Sequence, residues 1–218
     1  LYAPVSIPKA GLGMDELIGL DKMALTARIV SRLIDDLPES TIAAAVSSGY
    51  TGKFDSPDIT PLVPVGKTNI LQLYHGPTSA FKDMALLILP RLSAASRAAN
   101  HMEGDVLILT ATSGDTGTAA LGGFMDAPHA RIMVFYPDGG VSDVQRAQMV
   151  TQEGSNVDVC GVRGDFDDAQ RGVKAVFAAV EGQRLGGMSL SSANSINIGR
   201  LAPQVAYYFT AYADMVKS

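Results

Sequence analysis

The chain has 218 residues, 47% of them apolar, so it can bury a substantial hydrophobic core and does not have the composition of a disordered protein. Its 17 Lys and Arg residues against 22 Asp and Glu residues give a formal net charge of -5, without a basic run that could follow a phosphate backbone. The longest apolar stretch, residues 84–92, is interrupted by Pro90 and Arg91 and is too short to span a membrane. Composition therefore predicts a protein with neither a nucleic-acid nor a membrane partner.

The first part of the chain has the residue spacing of amphipathic helices. Between residues 14 and 49, apolar positions recur with a period near 3.6. They include Leu17, Ile18, Leu25, Ile29 and Leu33. Ser40 and Thr41 precede an apolar run, as helix caps do. We predict a mainly helical module over residues 1–58, and because the sequence starts as an extended segment without methionine, we expect residues to be missing upstream.

The remainder, residues 59–218, alternates between strand-like and helix-like patterns. Several runs are apolar on both faces, as buried parallel strands are. These runs span residues 105–112, 131–137 and 156–164. The third is followed by a helical stripe in which Asp165 and Asp168 imitate a capping box. This alternation predicts an α/β fold with a doubly wound, mostly parallel sheet.

Two single residues, Pro90 and Cys160, allow further predictions. Pro90 lies inside an apolar helical segment, so we predict a kink or an early helix end near Leu89. Cys160 is the single cysteine and lies in one of the strand-like runs. It cannot form an internal disulfide, which predicts an inert thiol in a reducing, cytoplasmic compartment.

Ligands of such sheets bind at the carboxyl ends of the strands, so the turns from strand to helix carry the functional signal. The first turn of interest holds Lys82, the second spans residues 110–121, and the third spans residues 189–204. None of them matches a Walker A loop or a GxGxxG turn, which disfavours nucleotide binding.

The second turn combines small residues and hydroxyls at the start of a helix. Its candidate binding residues are Ser113, Gly114, Thr116 and Gly117. Backbone N–H groups in such a turn can meet an anion. In the alternative interpretation, Ser113 or Asp115 caps the helix and the glycines only permit a tight turn.

The third turn carries hydrogen-bonding side chains and an arginine. They are Ser192, Asn194, Ser195, Asn197 and Arg200. Because Pro203 is tolerated in a first helical turn, the next helix should begin close to Asn197 and direct its positive end at this loop. The combination favours a phosphate or carboxylate site. The alternative is a polar loop with an exposed arginine.

Several motifs follow one another along the chain in a fixed order. They are HGPTSAFKD (75–83), TSGDTG (112–117), YPDGGVSDVQRAQM (136–149), GDFDDAQ (164–170) and SANSINIGRLAPQ (192–204). In their order and spacing, over nearly the whole chain, they resemble the N-terminal portion of threonine synthase, a pyridoxal-phosphate-dependent family of fold type II. Threonine dehydratase and cysteine synthase share an SGxTG-like turn and a reactive lysine, but they do not usually carry the HGPT and SANSIN motifs.

The resemblance implies roles for residues around the lysine. Lys82 matches the lysine that forms a Schiff base with pyridoxal 5′-phosphate, whereas without the family a lysine at a helix start is more often a surface residue. Phe81 would lie near the cofactor ring or pack in the core, and His75 would be a site wall or a core histidine. Asp115 stands where related enzymes often have asparagine near the cofactor's phenolic oxygen, or it caps the following helix.

The implied activity is the conversion of O-phospho-L-homoserine and water to L-threonine and phosphate. The turn from Ser113 to Gly117 resembles the loop that binds the substrate carboxylate, and the SANSIN loop with Arg200 would hold the leaving phosphate. Two alternatives remain open: a catalytically inactive protein that binds a phospho-ligand, or another fold type II lyase such as threonine dehydratase.

The resemblance also implies that the 218 residues are incomplete. In the family, the glycine-rich loop that binds the cofactor's phosphate, and the hydroxyl that meets the pyridine nitrogen, both follow the SANSIN helix. We therefore expect residues 1–218 alone to be catalytically inactive and to expose apolar surface.

Overall fold

A parallel sheet with helices packed on its two faces organises the chain in its computed structural model, which describes residues 13–180 and 182–217. The N-terminal part contains α1 (Met14–Ile18), α2 (Lys22–Leu33), α3 (Glu39–Tyr50), β1 (Leu62–Val65) and β2 (Thr68–Leu71). There follow α4 (Asp83–Leu86), α5 (Leu89–Ala99), β3 (Val106–Ala111), α6 (Asp115–Phe124), β4 (Ala130–Pro137) and α7 (Asp143–Val150). The last elements are β5 (Val157–Val162), α8 (Phe166–Val180), β6 (Ser189–Ser191) and α9 (Ile198–Lys217).

The four-stranded sheet has the strand order β5-β4-β3-β6, with all neighbours parallel. Alternate side chains of β3 point to opposite faces, so Ile108 packs in the core shared with α6, whereas Leu109 packs in the core shared with α8. The chain proceeds from β3 outward to β5 and then returns to the other side of β3. The predicted α/β fold with its parallel sheet is confirmed, and its topological switch point lies between β3 and β6.

The prediction that the third strand is buried on both faces was wrong. β5 is an edge strand in which Asp158 and Cys160 are exposed, because α8 packs over β3 and β4 and covers this face of β5 only at its last residue, Val162. The Cys160 thiol is therefore on the surface of the described part of the chain. The apolar residues Val157 and Val159 face the core on the other side.

The helix break predicted at Pro90 is confirmed. α4 ends at Leu86 and α5 begins at Leu89, with Pro90 in the first turn of the second helix, where its missing N–H removes no helical hydrogen bond. The capping box predicted before α8 is also confirmed. Asp165 N donates to Asp168 Oδ2 at 2.9 Å, and Asp168 N donates to Asp165 Oδ1 at 2.8 Å.

The N-terminal helices were predicted correctly in kind, but not at every boundary. α3 begins at Glu39 directly after Pro38, so Ser40 and Thr41 lie inside its first turn and do not cap it. Its Ile42 shares one hydrophobic core with residues of α4, α5 and α9, so the division at residue 58 stays a prediction. The extended segment expected at residues 1–8 lies outside the described residues.

Two further features of the fold are the β1–β2 hairpin and the start of α9. The sequence patterns did not predict the β1–β2 hairpin, whose turn uses Gly66 at a φ of 61°. α9 begins at Ile198, as expected from Asn197, although Pro203 lies in its second turn and not in its first. Within residues 13–180 and 182–217, no helix is long and apolar enough to cross a membrane.

Candidate functional site

The switch point of the sheet brings Lys82 and Asp115 together, although they are 33 residues apart in the chain. Lys82 Nζ donates to Asp115 Oδ2 at 3.2 Å, and the two side chains are 15% and 46% exposed. Lys82 ends the loop before α4, and Asp115 is the first residue of α6, directly after β3 and its turn. The lysine is thus not a solvated surface residue but faces a carboxylate at the carboxyl edge of the sheet.

The loop that carries Lys82 is held by Asp83, a residue that our sequence interpretation missed. The buried Asp83 carboxylate accepts Thr78 N at 2.9 Å and Thr78 Oγ1 at 2.6 Å. Burial raises the pKa of the Asp83 carboxyl, and the hydrogen bonds from Thr78 oppose that rise. A Cβ on Gly76 would lie 2.5 Å from Asp83 Oδ2, which explains the glycine of the HGPT motif. In the sequence, the acidic residue directly after the lysine was the signal that could have identified Asp83 as important.

Two rings of this loop have different surroundings. The His75 ring lies 2.5 Å from Asp55 Oδ1 through Nδ1 and 2.8 Å from Gln72 Oε1 through Nε2, so it ties the loop to the segment before β1. Phe81 is 38% exposed and its ring centroid lies 4.2 Å from Lys82 Nζ, a cation–π distance. Phe81 is therefore a neighbour of the lysine amine and not a core aromatic.

The turn after β3 is built around the hydroxyl of Thr112. This buried oxygen accepts Gly114 N at 3.0 Å and Gly117 N at 2.8 Å, so these two N–H groups are not free for an anion. Across the described residues, the N–H groups of Ser113, Asp115 and Thr116 have no acceptor. The Ser113 and Thr116 hydroxyls also lack a partner there.

Neither Ser113 nor Asp115 caps α6, so the capping role considered for them is wrong; among the described residues, the Thr112 hydroxyl is the side-chain group that accepts an N–H of its first turn. The Asp115 carboxylate instead binds Lys82 Nζ through one oxygen and Gln145 Nε2, at 2.6 Å, through the other. Gly117 is required for close packing, because a Cβ there would lie 2.5 Å from Thr112 Cγ2. The open N–H groups at a helix N-terminus leave this turn able to receive a carboxylate or phosphate.

The loop after β6 uses most of its polar side chains to hold its own shape. Asn194 Nδ2 donates to Ala111 O at 3.0 Å, which ties this loop to the end of β3. Asn197 Nδ2 donates to Ser192 O at 2.9 Å, and Asn197 Oδ1 accepts Gly199 N at 2.9 Å. Ser195 is exposed, with no partner across the described residues. A cleft of ≈ 830 Å³ separates the loop from α8.

Arg200 is the buried residue of this loop and helix start. It is 6% exposed, so the alternative of an exposed arginine is wrong. Its Nη1 donates to Ala193 O at 2.9 Å, while its Nε has no partner in the described part of the chain. Gln204 Nε2, one helical turn later, also lacks a partner there. Burial lowers the pKa of the Arg200 guanidinium, and no described carboxylate forms an ion pair with it.

Comparison with known proteins gives a consistent result, although no family model matches the chain. It is 39% identical over 220 residues to the threonine synthase of Haemophilus influenzae, covering 100% of this chain and 48% of that protein. It is 36% identical over 236 residues to the human protein threonine synthase-like 1, covering 99% of this chain and 31% of that protein.

A solved structure of a PLP-bound threonine synthase from Brucella melitensis matches the fold with a TM-score of 0.83 and 34% identity. That match covers 99% of this chain and 46% of the Brucella chain. The chain therefore spans between about a third and a half of the length of these proteins. The resemblance to the threonine synthase family that the sequence motifs indicated is thereby confirmed, in sequence and in fold.

Proposed function

We propose that the protein catalyses the threonine synthase reaction, in which O-phospho-L-homoserine and water yield L-threonine and inorganic phosphate. The Cγ–O bond to the phosphate breaks, Cβ loses a proton and Cγ gains one to become the methyl group. Water supplies the hydroxyl that is added at Cβ, and its other proton goes to the phosphate. The observation that carries the proposal is the amine of Lys82, which is largely shielded from solvent and hydrogen-bonded to Asp115 at the switch point of the sheet.

The residues present fit pyridoxal 5′-phosphate as the cofactor. Lys82 Nζ is the amine that would hold it covalently, and Phe81 and Asp115 are the neighbours of that atom. When bound, the cofactor supplies an electron sink for charge that develops at the substrate's Cα. Lys82 Nζ can then take the protons of Cα and Cβ and deliver protons to Cα and Cγ, and the Asp115 carboxylate can stabilise the ammonium form of the lysine.

Two groups of residues support binding of the negatively charged substrate. The free N–H groups of Ser113, Asp115 and Thr116 at the start of α6 suit the substrate carboxylate, within the turn that also contains Gly114 and Gly117. Arg200 suits the phosphate, because a buried guanidinium without a carboxylate partner gains most from an anion.

In the loop after β6, Ser195 would contribute its hydroxyl to the phosphate. Ser192, Asn194 and Asn197 would act mainly by shaping this loop. The amides of the last two hold it against the end of β3 and at the start of α9.

The proposal also covers the activity of residues 1–218 alone and the location of the protein in the cell. We infer that residues 1–218 alone do not sustain the reaction, and the supporting observation is that the chain spans 48% of the Haemophilus enzyme. A cytoplasmic location is also part of the proposal, and it depends on the single cysteine of the sequence.

The direct test is to incubate the purified full-length protein with pyridoxal phosphate and O-phospho-L-homoserine and to measure phosphate and L-threonine. Lys82→Ala should abolish both products and the borohydride-trapped cofactor adduct. Lys67→Ala, which removes an exposed lysine in the hairpin turn, is the matched control and should behave as wild type.

Three other results would contradict the proposal. Turnover that survives in Lys82→Ala would remove the lysine from the reaction. A 2-oxo acid formed from threonine, without phosphate release, would indicate a dehydratase. Binding of the phospho-substrate without products would indicate an inactive binding protein.

The phosphate assignment is tested with Arg200→Ala, for which we expect a loss of about 1.5–3 kcal/mol in substrate binding, the value of a hydrogen bond to a charged group. Arg91→Ala is the matched control, because Arg91 also donates to a backbone carbonyl, Leu87 O, at 2.6 Å. An unchanged KM and kcat in Arg200→Ala would place the phosphate elsewhere.

A further inference from the structure

Gln145 joins the N-terminus of α7 to the Lys82–Asp115 pair. Its Nε2 donates to Asp115 Oδ1 at 2.6 Å, while Asp115 Oδ2 accepts Lys82 Nζ at 3.2 Å. The carboxylate thus gives one oxygen to the amide and the other to the amine. Gln145 has no role in the proposed chemistry, and the sequence patterns singled it out only as part of a motif.

The cap of α7 fixes the orientation of the Gln145 amide. Gln145 Oε1 accepts the Ser142 N–H and the Ser142 hydroxyl, both at 3.2 Å, and Ser142 Oγ accepts Gln145 N at 3.2 Å in a complete capping box. A backbone N–H can only donate, so the amide oxygen must face Ser142. The amide nitrogen is therefore the atom directed at Asp115.

The turn after β3 leaves room for this amide. A Cβ on Gly114 would collide with Gln145 Cδ and Oε1 and lie 2.5 Å from Gln145 Nε2, and Gly114 has a φ of 135°. Only glycine combines that backbone conformation with that contact. The Asp115 side chain is 46% exposed, so without the amide its carboxylate could rotate towards solvent.

We propose that Gln145 is a positioning residue: by binding Asp115 Oδ1, it holds the carboxylate so that Oδ2 faces Lys82 Nζ. The inference rests on the proposed function, because it takes Lys82 as the reacting amine. It adds that Gln145, Asp115 and Lys82 form one hydrogen-bonded chain, for which the glycine at position 114 leaves room.

Gln145→Glu separates this role from helix capping. Glutamate keeps the acceptor that Ser142 needs, since capping boxes use Glu or Gln, but it puts a carboxylate where the amide donated to Asp115. In the full-length protein we expect pyridoxal phosphate to bind about 10- to 100-fold more weakly, the range for loss of a hydrogen bond to a charged group. The circular dichroism spectrum should remain that of the folded protein.

Exchanging the donor and the acceptor of the hydrogen bond between Gln145 and Asp115 tests whether cofactor affinity can be rescued. In an Asp115→Asn background, the new amide can donate to the carboxylate that Gln145→Glu introduces, while its oxygen still faces Lys82. Adding Gln145→Glu to that background should therefore change cofactor affinity less than about threefold. Ser142→Ala is the control, because it removes the hydroxyl of the cap and keeps the backbone N–H. It should lower the thermal midpoint and leave cofactor affinity within about twofold.

A second readout needs no cofactor. In the cofactor-free protein, Gln145→Leu should release Asp115 from Lys82, and acetic anhydride should then modify Lys82, relative to Lys67, about two- to fivefold faster by mass spectrometry. Wild-type protein that binds no cofactor would contradict the proposed function, and the labelling ratio would still decide the positioning role.

An unchanged labelling ratio in Gln145→Leu would overturn the inference. Equal loss of cofactor affinity from Gln145→Glu with and without Asp115→Asn would also overturn it, because the damage would then not depend on this pair. Wild-type affinity in Gln145→Glu would overturn it as well.

Discussion

Gly117→Ala tests how the turn after β3 is packed. An added Cβ would lie 2.5 Å from Thr112 Cγ2 and 2.8 Å from both Met149 Sδ and Val134 Cγ1. All three neighbours are buried. Thr112 cannot rotate away from the new methyl group without losing the hydrogen bonds that its hydroxyl accepts from Gly114 N and Gly117 N. The strain must therefore appear as a movement of the turn or of the core behind it.

The expected change in the free energy of unfolding of Gly117→Ala is the balance of two opposing effects. Overpacking of a well-packed core costs about 1–3 kcal/mol, and exchanging Gly for Ala in a helix returns up to about 1 kcal/mol. We expect Gly117→Ala to lower the free energy of unfolding by about 1–2 kcal/mol. Gly172, in α8, is the matched control because a Cβ there meets no atom within 4 Å. Gly172→Ala should raise the free energy of unfolding by about 0.5–1 kcal/mol.

Urea unfolding of both variants in the full-length protein, followed by circular dichroism, gives the comparison. The two substitutions are chemically identical, so their opposite signs would isolate the packing effect. If Gly117→Ala unfolded at the same urea concentration as wild type, or a higher one, the argument from the Thr112 contact would be refuted. A destabilising Gly172→Ala would show that the helix-propensity estimate was wrong.

Three further outcomes are expected. Gly76→Ala should lower cofactor affinity and the thermal midpoint together, because its Cβ would lie 2.5 Å from Asp83 Oδ2; unchanged values would contradict this. Burial raises the pKa of Tyr50 above its usual 10.0, so the unfolded state ionises first and the free energy of unfolding should fall as pH rises above 10 by up to about 1.4 kcal/mol per pH unit. Tyr50→Phe should reduce this dependence of the free energy of unfolding on pH above 10, as measured by denaturation curves at several pH values. The Asp165 N–H lowers the pKa of Asp168 below 3.8, so its stabilisation should be lost as pH falls through that lowered value, and Asp168→Asn should remove this acid dependence of the thermal midpoint.

Local patterns predicted those parts of the fold whose determinants lie close together in sequence. The capping box of Asp165 and Asp168 needs residues three positions apart, and the helix break at Pro90 needs one missing N–H. The exposure of β5 could not be predicted in this way. Whether an apolar run is a central or an edge strand depends on which elements pack over it, and that is decided by the topology of the whole sheet.

In the candidate site, too, local sequence predicted some features, and others depended on contacts between distant residues. Lys82 was found through its motif, and the structure adds its partner 33 residues away. Thr112 was passed over because it was interpreted as the last residue of a strand, although its hydroxyl holds the turn. The burial of Arg200 was also missed, since an arginine after a polar loop has the same local sequence whether it faces solvent or the interior. Side-chain direction depended in each case on contacts that sequence spacing does not encode.

The packing of α2 against α9 has a consequence for how the chain folds during synthesis. Val30 and Tyr207 belong to one hydrophobic cluster, which contains residues of helices from both ends of the described chain. The β3 to β5 part of the sheet can pair as soon as residue 162 has left the ribosome, because its strands are neighbours in sequence. The part of α2 that packs against α9, in contrast, has to wait for the last helix, and joining segments so distant is slow. A nascent chain that pauses before α9 would therefore keep the α9-facing surface of α2 uncovered, as a target for chaperones.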